Sequence, residues 1–97
     1  MEFTQDEYEA FFIVKKIVSK RINPDRVMRS EAKSYLAVLL DNNSQKTICR
    51  LYLLGKKKYI GTLNARKVET KTQIRSIEEI MSFETPLNEI VRYYESV

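Results

Sequence analysis

The chain has no histidine and only one cysteine, and these two shortages exclude several kinds of site. Histidine is the commonest general base and the commonest metal ligand, so its absence removes most acid–base and metal-dependent mechanisms. One cysteine without histidine cannot build a structural zinc site, and Cys49 has no second cysteine for an intramolecular disulfide. We therefore expect a reducing compartment and predict a cytoplasmic protein with no cofactor and no metal.

Glycine and long apolar runs are also scarce. Gly55 and Gly61 are the only glycines, so the sequence contains neither a P-loop nor a dinucleotide-binding fingerprint. The longest apolar run, residues 35–40, has the length of a strand and falls far short of the ~20 residues that cross a bilayer. The acidic opening of the chain lacks the basic residues of a secretory signal. These absences predict no membrane association and no enzymatic activity for this chain alone.

Positive charge is concentrated in the middle of the chain. Residues 15–75 contain sixteen Lys or Arg against four acids, whereas residues 1–14 and 76–97 each carry a net charge of −4. Clustered cations are typical of nucleic-acid binding, because they neutralise phosphates and release counterions. The alternatives are a solvated lysine-rich sheet that resists edge-to-edge aggregation, or a basic region that faces acidic flanks or another protein.

Hydrophobic periodicity predicts a single α+β domain over residues 1–97, with an N-terminal helix, an antiparallel β-meander of three to five strands and short C-terminal helices. A capping box, Thr4 to Glu7, begins the first helix, and Pro24 ends it. Five residues form its predicted core stripe: Tyr8, Phe11, Phe12, Val18 and Ile22. Ile13 and Ile17 lie off this stripe and therefore indicate a second buried side, against a homodimer partner or a neighbouring domain.

Alternation and turn residues predict the sheet. The predicted strands cover residues 26–30, 34–40, 47–54 and 59–63, with turns at 41–44 and 55–58 and a loop or edge strand over 64–73. In the third strand, Cys49, Leu51 and Leu53 share one face. The opposite face receives Ile48, Arg50, Tyr52 and Leu54.

The C-terminal region contains two helix-start signals. Ser76 to Glu79 forms a second capping box, and Thr85-Pro86 places proline at the first position of the next helix. The apolar face predicted for that last helix consists of Leu87, Ile90, Val91 and Tyr94.

One segment spells the PD…ExK signature of metal-dependent nucleases, through Asp25, Glu31 and Lys33. That chemistry needs carboxylates that share a divalent cation on neighbouring strands, and the short spacing barely allows a hairpin. A second ExK, Glu69 to Lys71, has Asp41 as its candidate second carboxylate. A small metal-dependent nuclease therefore remains the second alternative to a non-catalytic domain.

A basic hairpin is the candidate nucleic-acid site. Its predicted binding residues are Lys46, Arg50, Tyr52, Lys56, Lys57, Lys58 and Tyr59. Aromatic rings among cations on a sheet surface suit base stacking combined with phosphate contact. The alternative is that a helix covers this face too, which would make Tyr52 a core residue with its hydroxyl at the rim.

Several segments resemble a known kind of domain: residues 33–43 (KSYLAVLLDNN), 46–52 (KTICRLY) and 57–61 (KKYIG). They are similar to the C-terminal domain that follows the nuclease domain in bacterial predicted type I or type IV restriction endonucleases. Residues 6–15 and 23–26 are similar as well, so the resemblance covers nearly the whole chain.

The resemblance implies an accessory domain of a longer defence-system protein, whose nuclease carboxylates lie in an upstream domain. We accordingly predict a non-catalytic domain that contacts nucleic acid, DNA in particular, through the basic hairpin. The first alternative is a protein–protein interaction or dimerisation domain that packs on the nuclease domain.

Overall fold

The computed structural model of the chain describes residues 4–96. Its helices and strands are α1 (Gln5–Val18), β1 (Val27–Glu31), β2 (Leu36–Leu40), β3 (Asn43–Tyr52), β4 (Lys58–Leu63), β5 (Glu69–Ile74) and α2 (Glu84–Ser96). Two 3₁₀ segments, Pro24–Arg26 and Ile77–Phe83, complete the described secondary structure. The strands form one antiparallel sheet in chain order, β1-β2-β3-β4-β5. The predicted α+β class, with an N-terminal helix, an antiparallel meander and a helical C-terminal region, is confirmed.

Helix α1 begins at the predicted capping box. The Thr4 backbone N–H donates to Glu7 Oε1 at 2.9 Å, and the Glu7 N–H donates to Thr4 Oγ1 at 3.1 Å. The predicted stripe is wrong for Tyr8 and for Phe12, which is 57% exposed. The buried positions are Glu7, Ala10, Phe11, Val14, Ile17 and Val18. Phe11, Val18 and Ile22 of the predicted stripe are buried, and the buried side extends from them away from Tyr8 and Phe12.

The two isoleucines that the sequence assigns to a partner lie against the domain itself. Ile17 is buried in the core, and Ile13 is partly buried and packs against it. The 3₁₀ segment Ile77–Phe83 packs along α1. The chain therefore covers the second apolar side of α1 with its own C-terminal region.

The hairpin between β2 and β3 combines a tight turn with a bulge. Asp41 and Asn42 have φ angles of 57° and 56°, the left-handed values that a two-residue type I′ turn requires at both positions. The register then shifts, since Val38 pairs with Cys49 but Leu39 pairs with Thr47. Ile48 is the extra residue of this bulge and is fully buried, which corrects the prediction that it shares a face with Arg50.

The core lies between one face of the sheet and the helices. That face contributes Val27, Leu36, Val38, Leu40, Cys49, Leu51, Ile60 and Ile74. Burial raises the pKa of the Cys49 thiol well above its ordinary value, so this cysteine is a packing residue.

Helix α2 contributes its predicted face to the same core, through Leu87, Ile90, Val91 and Tyr94. The Tyr94 hydroxyl donates to the Thr47 carbonyl at 2.7 Å, which ties α2 to the bulged part of β3. The capping box predicted at Ser76 is wrong, because the Ser76 side chain forms no cap hydrogen bond and the segment after it is 3₁₀. Within residues 4–96, no helix has the length and apolar character needed to cross a membrane.

Candidate nucleic-acid interface

The sheet has a second face, called here the open face, which lies opposite the helix-packed core; α2 reaches it at Tyr94, which lines one cavity with Arg50 and Leu63. Register and alternation place the following residues on it: Met28, Ser30, Tyr35, Ala37, Leu39, Thr47, Arg50, Tyr52, Tyr59, Gly61, Leu63, Glu69, Lys71 and Gln73. Tyr52 is half-buried at the surface of this face, so the alternative that a helix covers it is not what the described residues show. The open face is therefore available to a partner.

A carboxylate organises the centre of the open face. The Tyr52 hydroxyl donates to Glu69 Oε2 at 2.6 Å, and Arg50 Nη1 donates to Glu69 Oε1 at 3.2 Å. Burial, followed by the hydrogen bond to Glu69, raises the pKa of Tyr52 to about 12. Burial of Arg50 disfavours its charged form, but the Glu69 carboxylate leads the opposing interactions and the pKa of Arg50 is raised. This network holds Tyr52 as a neutral donor and Arg50 as a cation.

Gly61 makes room for this network. It pairs with Arg50 on one side and with Lys71 on the other. A Cβ atom added to Gly61 would overlap the Glu69 carboxylate and would lie 2.8 Å from its Cδ. Glycine is needed here for space, since Gly61 has no positive φ angle.

Cations lie against the aromatic rings of the open face. Lys71 Nζ is 4.1 Å from the ring centroid of Tyr52 and 5.0 Å from that of Tyr59. Arg50 Cζ is 5.5 Å from the ring centroid of Tyr35. These distances are within the range of cation–π attraction. Three tyrosines and two cations thus occupy one continuous surface.

Four further cations meet at one end of the sheet, and we call them the basic rim: Lys33, Lys56, Lys57 and Arg75. The β1–β2 and β3–β4 connections share this end because Leu36 pairs with Leu51 and Tyr52 pairs with Tyr59. Arg75 follows Ile74, which pairs with Lys58 beside the β3–β4 connection. All four rim residues are exposed, and none forms an ion pair with a carboxylate of residues 4–96.

The structure separates the predicted binding residues into groups. Arg50, Tyr52 and Tyr59 lie together on the open face, with Lys56 and Lys57 at its rim. Lys58 lies on the helix-covered face, where its Nζ is 3.4 Å from Asp6 Oδ2. Lys46 lies toward the opposite end of β3, six residues from Tyr52 and therefore about 20 Å away along the strand.

Sequence reasoning missed Tyr35, Lys71, Glu69 and Gly61 as members of this surface. The signal for Tyr35 was present, because Tyr35 directly precedes Leu36, the first residue of β2. Side chains alternate along a strand, so Tyr35 lies on the face opposite to that of Leu36 and Val38. The signal for Lys71 was weak, because β5 is a strand of mostly polar residues without an apolar pattern.

The nuclease signature does not form a cluster. Asp25 lies in the 3₁₀ segment before β1 and Glu31 is the last residue of β1, so the length of the strand, about 13 Å, lies between them. The carboxylate of Asp41 binds Arg26, whereas that of Glu69 binds Arg50 and Tyr52. Across the described part of the chain, no three His, Cys, Asp or Glu side chains could hold a metal ion together.

The charge partition of the sequence is also a partition in space. Residues 1–14 and 76–97 hold nine of the thirteen acids, and in the described chain they form the helical layer. Ion pairs between this layer and the middle of the chain engage Lys20, Arg26 and Lys58. The acidic flanks therefore neutralise cations of the helix-covered side and leave the basic rim to solvent.

Comparison of the chain with protein-family models, with curated proteins and with solved structures finds no match. The functional interpretation therefore depends on the geometry and charge of the open face.

Proposed function

We propose that this chain is a non-catalytic nucleic-acid-binding module that uses the open face and the basic rim. We further propose that it serves as a cytoplasmic accessory domain of a restriction endonuclease-like protein in a bacterial defence system, with DNA as the nucleic acid. The observation that carries the binding proposal is the placement of Arg50 and Lys71 against tyrosine rings on the open face. The restriction endonuclease part depends on the resemblance of the sequence segments alone.

Charge complementarity supports a polyanionic partner. Among residues 4–96, alternation places one acid on the open face, Glu69, and Arg50 already pairs with it. The rim adds four unpaired cations within the described chain. Such a surface attracts phosphates, and the attraction falls as salt concentration rises because each contact releases counterions.

Removal of three open-face and rim charges tests the proposal. In the variant Lys56→Ala/Lys57→Ala/Lys71→Ala, affinity for a labelled DNA oligonucleotide should fall. The slope of log affinity against log salt should also decrease by about 2.7 on duplex or about 2 on a single strand, since each phosphate contact contributes about 0.9 or 0.7. Fluorescence anisotropy at four salt concentrations measures both quantities, and the loss should be similar for different base sequences.

A matched control removes three exposed cations from the helical layer, in the variant Lys16→Ala/Lys20→Ala/Arg21→Ala. Its net charge equals that of the first variant, but its open face is intact. Its salt slope should therefore stay near that of the unsubstituted chain. Equal losses in both variants would contradict a localised interface, and absence of binding at low salt would end the nucleic-acid proposal.

A second candidate function is a protein–protein interaction or dimerisation domain, and one observation favours it. Phe12 on α1 is 57% exposed, and Met28 on the edge strand β1 is 42% exposed. A contiguous apolar patch formed by such side chains would be typical of contact with another protein. A chain that binds no DNA at low salt but sediments as a dimer, and that Phe12→Glu converts to a monomer, would favour this candidate.

A further inference from the structure

Three tyrosines form a row across neighbouring strands of the open face. Tyr35 directly precedes β2, Tyr52 ends β3 and Tyr59 lies near the start of β4. The ring centroids of Tyr35 and Tyr52 are 5.4 Å apart with an interplanar angle of 53°, and Tyr52 pairs with Tyr59 in the register. The row runs across the strands at the end of the sheet where the basic rim lies.

Small residues leave space beside this row. Arg50 is flanked in the register by Ala37 and Gly61, neither of which projects a bulky side chain. A groove of about 200 Å³ is lined by Arg50 and Tyr35 together with small residues that include Ser30 and Ala37. A planar group that enters this groove would contact Tyr35 and Arg50, which both line it.

The row and its cations match the chemistry of an unpaired nucleotide. Aromatic rings stack on bases of any identity. Lys71 and Arg50 lie over the Tyr52 and Tyr35 rings, so a stacking base would take their place and the displaced cations would meet the neighbouring phosphates. In a duplex the bases are already stacked and paired, so a duplex would present only its phosphates and groove edges to this flat face.

We infer that the ligand of the open face is single-stranded nucleic acid, with bases stacked on Tyr35, Tyr52 and Tyr59 and phosphates on Lys71 and Arg50. This inference rests on the proposed function and adds the class of ligand to it. Glu69 is a positioning residue, because its carboxylate fixes the Tyr52 hydroxyl and the Arg50 guanidinium from beneath the ligand surface.

The test compares labelled oligo(dT) with a random-sequence duplex of the same length, at one salt concentration, by fluorescence anisotropy. The single strand should bind at least tenfold more tightly than the duplex, since stacking is available only to unpaired bases. The chain has no tryptophan, so its intrinsic emission comes from tyrosine, and stacking of unlabelled oligo(dT) on the row should quench that emission.

Ring removal should act on the single strand alone. The variant Tyr52→Leu/Tyr59→Leu should lose about tenfold in oligo(dT) affinity for each ring, with little change on the duplex. The variant Tyr52→Phe/Tyr59→Phe keeps the rings and should retain oligo(dT) affinity within about threefold. Tyr93→Leu is the matched control, because Tyr93 is an exposed tyrosine on α2, away from the open face.

Each outcome separates the inference from the proposed function. Equal affinity for oligo(dT) and duplex, unchanged by the leucine substitutions, would overturn stacking while leaving phosphate binding in place. Binding of neither ligand at low salt would remove both proposals. If circular dichroism shows that the double leucine variant is unfolded, Tyr59→Leu alone replaces it, because this variant keeps the Tyr52–Glu69 hydrogen bond. A tenfold loss of oligo(dT) affinity in Tyr59→Leu supports the inference, and no loss contradicts it.

Discussion

Gly61→Ala is the substitution whose effect the structure specifies best. The added methyl group would occupy the position of the Glu69 carboxylate, and the side chain would have to move away from Tyr52 and Arg50. The steric contact itself is with the end of a flexible side chain, so the main loss is that of the two hydrogen bonds.

The magnitude follows from the exposure of the partners. Hydrogen bonds to charged groups contribute about 1.5–3 kcal/mol, but the side chains of Arg50 and Glu69 are 33% and 23% exposed, which favours the lower end. Replacing glycine by alanine in a strand also stabilises the fold by about 0.5 kcal/mol, because alanine lowers the conformational entropy of the unfolded chain. Two bonds at about 1.5 kcal/mol each, less this gain, lead us to expect Gly61→Ala to lower the free energy of unfolding by about 2.5 kcal/mol, or the Tm by about 12 °C.

A double-mutant cycle identifies the cause. In a Glu69→Ala background there is no carboxylate to displace, so Gly61→Ala should become neutral or stabilising by about 0.5 kcal/mol. Urea unfolding, monitored by circular dichroism, measures the free energy of unfolding of all four chains. The dependence of that free energy on urea concentration should have the same slope in each chain. Equal destabilisation by Gly61→Ala in both backgrounds would refute the view that the glycine serves the Glu69 network.

Two further predictions concern pH. The Arg26 hydrogen bonds hold the pKa of Asp41 below its ordinary value of 3.8. This ion pair therefore stabilises the fold above pH 3.8, and its contribution is lost as the pH falls below that value. Between pH 5 and pH 2, the Tm of the unsubstituted chain should fall more steeply than the Tm of Asp41→Asn. Burial and Glu69 raise the pKa of Tyr52 from 10.0 to about 12, so its contribution is present below pH 10 and is lost as pH rises toward 12. Tyr52→Phe should therefore lose less stability than the unsubstituted chain over that alkaline range, and its absorbance titration should lack one high-pKa tyrosinate; identical curves would contradict the assignment.

Local signals in the sequence were sufficient for the order and type of most elements. The capping box at Thr4 and Glu7 is a short-range hydrogen-bond pattern, so it forms wherever this helix forms. Asp41 and Asn42 tolerate positive φ, which is why a turn could be predicted there before the strands were paired. Alternation also placed Arg50 and Tyr52 on one face, because side-chain direction in a strand has a period of two.

Some features depend on contacts that no local pattern contains. The buried side of α1 is the one that meets the sheet and the 3₁₀ segment. Phe12 lies outside that side and is exposed, although its large apolar side chain suggests a core residue. The bulge at Ile48 changes the alternation by one residue, and only the pairing of Val38 and Leu39 with their partners reveals it. Strand β5 is mostly polar and forms because β4 offers it an edge.

The candidate site divides in the same way. The sequence by itself determined that the middle of the chain is basic, that the chain has no histidine and a single cysteine, and that Arg50 and Tyr52 point the same way. Only the tertiary structure decided that Tyr35 and Lys71 join them, that Glu69 reaches across Gly61, and that Lys58 turns to Asp6 instead. The physical reason is that strand register is set by the packing of the whole sheet on its helices, whereas charge and alternation are properties of each segment alone.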